Sequence, residues 1–363
     1  MHVLHVVGAR PNFMKASPVL RALGGRVGVR QSLVHTGQHY DADMSDVFFK
    51  QLDIPAPDDN LEVGSGSHSK QTAEVMTRFE PVVLARKPDM VLVYGDVNST
   101  AAAALVCAKL LVPVGHVEAG LRSGDRTMPE EINRLVTDQL ADLLFTPSAD
   151  GDENLVREGI PAAKVHRVGN VMIDTLVRLL PTADARWPEI AATQGLAGAR
   201  YALVTLHRPS NVDDPDGLRA LMATLTAIGR DVRVVFPVHP RTKQRLQSLG
   251  LDAPGGGVHL TGPIGYIDFL ALQKHATVVV TDSGGVQEET TYLGVPCLTV
   301  RENTERPITC TVGTNTLVGR DVRKLAAEVS KILAGGAKQG GIPPGWDGRA
   351  GERIADVVTQ SSR

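Results

Sequence analysis

Cysteine is scarce in this chain: three residues in 363, Cys107, Cys297 and Cys310, widely spaced and never in a CxxC pair. That excludes a disulfide framework and a thiolate metal site. Cys107 and Cys297, set among apolar neighbours, read as small buried hydrophobes. The chain has no HExxH, no close His/Cys pairing, no Walker A stretch and no GxGxxG near its start. Metal, ATP and nicotinamide sites therefore lack sequence support, and no cofactor is expected. No run of 18 apolar residues occurs, and MHVLHVVGAR lacks a basic region followed by a long apolar stretch. It reads as a first strand, with no membrane span, and a reducing cytoplasm is expected. An excess of one charge is also missing, since 38 Lys+Arg stand against 40 Asp+Glu. No basic surface is left for nucleic acid, and no polybasic segment for an anionic membrane.

What is present is ordinary globular material, 42% hydrophobic and 21% charged, and at roughly 100–200 residues per domain it predicts two domains. Val3–Val7 is a short apolar strand running into Gly8-Ala9-Arg10-Pro11, and a helical pattern with Met14, Val19, Leu20 and Leu23 follows. Gln31–His35 reads as a strand, Thr72–Ala85 as a helix, and Met90–Tyr94 as a buried strand stopping at Gly95-Asp96. Asn98-Ser99-Thr100 are cap-type residues before the Ala-rich segment 101–111. Val112–Val117 is another strand, ending at Glu118-Ala119-Gly120. The alternation restarts with strands at Tyr201–Leu206, Val232–Val238, Thr277–Thr281 and Pro296–Val300. This is the α/β pattern of two Rossmann-like, doubly wound parallel sheets. The crossover is expected near residues 168–200, where Pro181 and Pro188 fall, and Gly335–Gly348 reads as a loop before a helix at 351–360. The expected domains are 1–170, 171–345 and a C-terminal helix, 346–363, packing back on the first.

Ligands of open α/β sheets sit outside the carboxyl ends of the strands, which is where the polar residues of this chain gather. In Thr281-Asp282-Ser283-Gly284-Gly285-Val286-Gln287-Glu288-Glu289 a strand passes two glycines into a helix. Its free N–H groups suit an anion, and Glu289 suits a ribose. A strand-to-helix turn with a capping serine would look the same. Arg10 and Lys15 follow the first strand and could reach a pyrophosphate, as could Arg306, although surface cations are the plain alternative. Asp96 and Glu118 end strands of one sheet, and Glu130 lies in MPEEINR. Asp96 could instead cap a helix and Glu130 could be a first-turn glutamate like Glu131, whereas Glu118 ends a strand with no helix start beside it. Brought together, three carboxylates would supply both an acid and a base. His207 ends the first strand of the second half, and His116 and His239 are weaker candidates of the same kind.

Together, GARPNFMK (8–15), KPDMVLVYGD (87–96), PVGHVEAGLRSGD (113–125), MPEEINR (128–134), VGNVMIDTL (168–176), TDSGGVQEE (281–289) and TERP (304–307) resemble the non-hydrolysing UDP-N-acetylglucosamine 2-epimerase family. The resemblance runs from the N-terminus to about residue 333. It implies a glycosyltransferase-B-like fold, two Rossmann-like domains facing a central cleft, a homodimer and a UDP-sugar substrate. It implies that Arg10, Lys15, His207, Ser283, Gly284, Gly285, Glu289 and Arg306 hold UDP, with Phe269 near the uracil. Asp96, Glu118 and Glu130 inherit the catalytic roles, with His207 assisting the departing UDP. The implied reaction is epimerisation at C2 of UDP-N-acetylglucosamine to UDP-N-acetylmannosamine, by anti elimination and readdition of UDP through a 2-acetamidoglucal. Two stretches depart from the family pattern, Gln38-His39-Tyr40-Asp41-Ala42-Asp43-Met44 and His207-Arg208-Pro209-Ser210-Asn211. Many members carry QHREM-like and HRRE-like stretches there, associated with a second, activating UDP-sugar. Such variation also occurs in relatives acting on UDP-2,3-diacetamido-glucuronate. A hydrolysing epimerase, a glycosyltransferase of the same fold and a non-enzymatic nucleotide-sugar sensor are the rival readings, but three carboxylates and His207 exceed what binding alone needs.

Overall fold

The apolar runs of the sequence become two all-parallel sheets, because strands covered on both faces can be hydrophobic along their whole length. The structure, a computed structural model, describes residues 1–38 and 51–360, apart from the Arg10 side chain. The chain divides into two compact units, Met1–Thr175 with Pro344–Arg363, and Leu176–Pro343. The first holds strands β1 (His2–Val7), β2 (Arg30–His35), β3 (Asp59–Asn60), β4 (Met90–Tyr94), β5 (Val114–Val117), β6 (Leu143–Thr146) and β7 (Val165–Arg167). Their order in the sheet is β3-β2-β1-β4-β5-β6-β7. The second unit holds β8 (Tyr201–Thr205), β9 (Arg233–Pro237), β10 (Val258–Thr261), β11 (Val278–Thr281), β12 (Cys297–Thr299) and β13 (Asn315–Leu317), ordered β10-β9-β8-β11-β12-β13. Both orders are doubly wound, reversing between β1 and β4 and between β8 and β11, where such sheets bind ligands. No helix among the described residues is long and apolar enough to cross a membrane.

The core of the first unit joins Leu4, Val6, Val91 and Val93 to Ala102, Ala103 and Ala104 of the helix Asn98–Lys109, whose small side chains let it lie close on the sheet. Asn98, Ser99 and Thr100 do not cap that helix. Val97 is its N-cap, and the three polar residues are buried within its first turn. Thr100 Oγ1 donates to Tyr94 O (2.9 Å), and Ser99 Oγ meets Thr36 Oγ1 (2.7 Å). Hydrogen bonds to the strand ends outcompete local capping.

The crossover lies within residues 168–200, where Pro181 and Pro188 fall. It is one helix, Val171–Thr193, with Pro181 and Pro188 inside it. Each proline removes a backbone donor and crowds the preceding turn, but Leu176, Leu179, Ala183 and Ile190 are buried along the helix, and that burial offsets the lost bonds. The C-terminal helix Ala350–Gln360 packs on the first helix, Arg10–Gly24. Asp174 accepts from the N–H groups of Ala350 (3.1 Å) and Gly351 (2.7 Å), and Trp346 Nε1 donates to Pro147 O (2.9 Å).

Candidate active site

In the first unit the polar residues converge on the ends of β4 and β5. Pro11 lies in the first turn of the helix Arg10–Gly24, where its missing N–H costs nothing. Asn12 locks the turn before it, accepting from Gly8 N (3.0 Å) and Ala9 N (3.1 Å) and donating to Tyr94 O (2.7 Å) across the strand-order reversal. One helical turn on, Lys15 Nζ pairs with Glu118 Oε2, both side chains buried. The pair lies against Gly95, where an added Cβ would stand 2.5 Å from Lys15 Nζ and 3.1 Å from Glu118 Oε2. Gly95 also has φ +64°, a left-handed backbone in which glycine is unstrained. Glu118 has φ +75°, a strained conformation for a side-chain-bearing residue. It is held there while its own N–H and that of Ala119 both donate to Phe145 O (3.1 and 3.0 Å).

Asp96, next to Gly95, is gripped by the helix Pro129–Leu140. Arg134 Nη1 reaches Asp96 Oδ2 at 2.5 Å, and Asn133 Nδ2 donates to Asp96 O at 2.9 Å. Arg134 also bonds Glu131, which accepts from Ser123 N (3.0 Å) and Gly124 N (2.9 Å). Burial opposes ionisation of Glu131, but these donors outweigh it and hold its carboxyl below the usual range. The helix is inverted relative to the common pattern, burying Glu131, Arg134 and Asp138 while exposing Ile132 and Val136. Glu130 is exposed, and no hydrogen bond or ion pair joins it to Asp96 or Glu118 among the described residues. Asp96 and Glu118 each stand on their own cation, and an opposite charge nearby favours the ionised carboxylate.

In the second unit Asp282, fully buried after β11, gathers the loop that follows β8. It accepts from His207 N (3.1 Å), Arg208 N (2.9 Å) and Asn211 Nδ2 (3.0 Å), and its Oδ1 lies 3.0 Å from His207 Nδ1. Burial pushes the Asp282 carboxyl up, but His207, Asn211 and Arg208 prevail and hold it low. The His207 ring is 44% exposed. Ser283 is the N-cap of the helix Gly284–Leu293 without using its hydroxyl for the cap, so the first-turn N–H groups keep their affinity for an anion. Gly284 is required sterically, since a Cβ there would stand 2.4 Å from Arg306 Nη1. Gly285 is the next residue of that turn. Arg306 is buried between Glu288 (2.8 Å) and Glu305. Glu289 is buried, receives Tyr266 Oη at 2.7 Å, and is pushed up to about 7 by burial, against the pull of Tyr266 and Gln273. Phe269, half-buried, lies three residues beyond Tyr266 in the helix Tyr266–His275.

The positions picked from sequence thus fall at two strand-end clusters, one per unit. Arg10 begins the first helix, but its side chain lies outside the described residues, as do His39 to Met44. Lys15 and Arg306, expected at a pyrophosphate, sit in buried ion pairs. Sequence reasoning did not single out Asn133, Arg134, Asp138 or Asp282. A usable signal was the 131, 134, 138 spacing of charged residues along one helical face. No group of three His, Cys, Asp or Glu able to hold a metal occurs among the described residues.

A family model described as UDP-N-acetylglucosamine 2-epimerase matches residues 21–359. A UDP-N-acetylglucosamine 2-epimerase of Methanocaldococcus jannaschii is 42% identical over 360 residues, 98% of each chain. A UDP-2,3-diacetamido-2,3-dideoxy-D-glucuronate 2-epimerase of Pseudomonas aeruginosa is also 42% identical, over 363 residues that cover 99% of this chain and 100% of the relative. The crystal structure of the Methanocaldococcus jannaschii UDP-GlcNAc 2-epimerase in complex with UDP-GlcNAc and UDP matches with a TM-score of 0.91 at 41% identity, covering 99% of this chain and 100% of that one.

Proposed function

The chain belongs to the UDP-N-acetylglucosamine 2-epimerase family and is an epimerase, and on that premise we propose that it converts UDP-N-acetylglucosamine to UDP-N-acetylmannosamine without releasing the free sugar. The observation that carries this reading is the pair of cation-held carboxylates at adjacent strand ends, Glu118 on Lys15 and Asp96 on Arg134. A carboxylate takes the C2 proton while the C1–O bond to the diphosphate breaks. UDP departs with the electron pair, and a C1=C2 double bond forms. Readdition of UDP at C1, with a proton delivered to the opposite face of C2, gives the epimer. A weakly acidic C–H demands a base fixed within reach, which one buried and one half-buried ion pair achieve without a mobile side chain.

Departing UDP accumulates charge on its phosphate. Ser283, Gly284 and Gly285 at a helix start, with Arg306 and His207, are the donors suited to it. Asp282 on Nδ1 leaves Nε2 of His207 as the outward nitrogen, the one able to give a proton or hydrogen bond to the phosphate. Glu289 takes the ribose, Phe269 stands near the uracil, and Glu130, on the exposed first turn of its helix, joins Asp96 and Glu118 in handling the C2 proton.

A proton NMR time course with UDP-N-acetylglucosamine in D2O tests the reading. The expected product keeps its UDP and gains deuterium at C2. Free N-acetylmannosamine accumulating from the start would mean a hydrolysing epimerase instead. The Pseudomonas aeruginosa relative, equal in identity to the Methanocaldococcus one, favours a second reading in which the sugar is UDP-2,3-diacetamido-glucuronate. The same time course with that sugar decides between them by rate.

A further inference from the structure

We propose that His116 and Asp138 form a positioning unit that sets both strand-end carboxylates at once, an inference that rests on the reading of Asp96 and Glu118 as acid–base groups. Both side chains are wholly buried, against a mainly apolar core. A histidine–carboxylate pair in such a place is costly unless every polar atom is matched. Here the matching is complete. Asp138 Oδ1 lies 2.6 Å from His116 Nδ1, and its Oδ2 accepts from Gly120 N (3.1 Å) and Arg122 Nη2 (2.8 Å). His116 Nε2 lies 2.7 Å from Gly95 O. Arg122 is itself fixed by Glu158 (2.7 Å).

The two ends of this chain of bonds are the two turns that carry the carboxylates. Gly95 is held from both sides by β5, its N–H on Val117 O (3.0 Å) and its carbonyl on His116. That fixes the plane of the Gly95–Asp96 peptide and so the direction in which Asp96 leaves the strand. Gly120 is two residues beyond Glu118, and its N–H on Asp138 closes the loop that keeps Glu118 in its left-handed backbone. Asp138 stays ionised, because His116 and Arg122 outweigh the burial that opposes its charge. An apolar residue at 116 would fill the space but leave Gly95 O and Asp138 Oδ1 without the His116 ring nitrogens that face them. The arrangement acts through Asp96 and Glu118, not on the substrate.

The test compares His116→Leu, His116→Gln and Asp138→Asn with wild type in kcat, KM, C2 deuterium uptake, UDP affinity and melting temperature. The expected result for His116→Leu is a fall in kcat and deuterium uptake of about 10²-fold, the scale of a small misplacement of catalytic groups, with KM and UDP affinity unchanged. His116→Gln, whose amide can still donate to Gly95, should recover about tenfold of that loss, the worth of one hydrogen bond. A folded His116→Leu protein with wild-type kcat would overturn the proposal. So would kcat, KM, UDP affinity and melting temperature falling together, with glutamine no better than leucine, since that is what loss of mere packing produces. Should His116→Leu fail to fold, the near-isosteric Asp138→Asn decides on the same readouts. Asp96→Asn and Glu118→Gln run alongside. If they keep activity, the acid–base reading fails; if they lose it while the His116 and Asp138 variants do not, only the positioning role fails.

Discussion

Each unit of the molecule carries a histidine–aspartate pair at its strand ends, and the two pairs are put to different use. In the first unit both side chains of His116–Asp138 are fully buried, and the second ring nitrogen is spent on a backbone carbonyl. In the second unit Asp282 is equally buried, yet the His207 ring is 44% exposed, and its Nε2 has no hydrogen-bond partner among the described residues. The contact between carboxylate and imidazole is the same. What separates a brace from a reactive group is where the other nitrogen points, because an imidazole acts on a ligand only through a nitrogen that its surroundings leave open.

The comparison can be broken most forcefully at Glu118. Glu118→Gln is expected to lower kcat by at least ~10²-fold, the scale of general acid–base catalysis, with UDP affinity unchanged in titration calorimetry. A loss of UDP affinity in place of turnover would end the division of labour between the units. A smaller and different effect is expected from His207→Asn, which can keep a contact with Asp282 but lacks the outer nitrogen. UDP affinity should weaken by ~10-fold, as when one hydrogen bond to a charged group is lost, and unaltered calorimetric binding would place His207 outside the diphosphate's reach.

The smallest effect is on stability, and it sharpens the contrast because each unit holds a carboxyl pushed well up by burial. Glu289 rises from 4.5 to about 7 in the second unit, with Tyr266 and Gln273 opposing. Asp174 rises from 3.8 to about 6 in the first, with the N–H groups of Gly351 and Ala350 opposing. The folded state therefore binds protons more tightly than the unfolded chain, so unfolding free energy falls as pH rises through each window. Each contribution is complete below the unfolded value and lost as pH passes the folded one. Glu289→Gln should flatten the melting-temperature profile between about pH 4.5 and 7. Asp174→Asn should flatten it between about 4 and 6. Profiles parallel to wild type would show that these groups are not the source.

The strand ends were readable in the sequence because fully covered parallel strands are apolar throughout, so the first polar residue after each one marks the ligand side. Asp96, Glu118, His207 and Asp282-Ser283 all stand at such ends. Glu118 was also distinguishable as a carboxylate with no helix to cap, and its left-handed backbone accounts for that. The grip on these residues was not readable. Lys15 and Glu118 are 103 positions apart and Arg134 and Asp96 are 38 apart, so no local pattern connects them. Local rules failed where tertiary bonds outcompeted them, at Asn98 to Thr100 and in the helix that runs through Pro181 and Pro188.

One feature of the fold bears on how the chain is made. The second unit is a continuous insertion, Leu176–Pro343, between two segments of the first. A ribosome delivering residues from the N-terminus therefore exposes the first sheet long before it delivers the helix Ala350–Gln360 that covers Arg10–Gly24. At ~5–20 residues per second the wait is roughly 10–35 s. Throughout it the Asp174 carboxylate has no helix start to bind, and the seat for Ile354 and Val358 is open to water. The inserted unit suffers no such delay, since all its strands emerge in sequence. Nascent chains are thus exposed to aggregation through the segment before the insertion, and the helix Ala350–Gln360 ends that exposure.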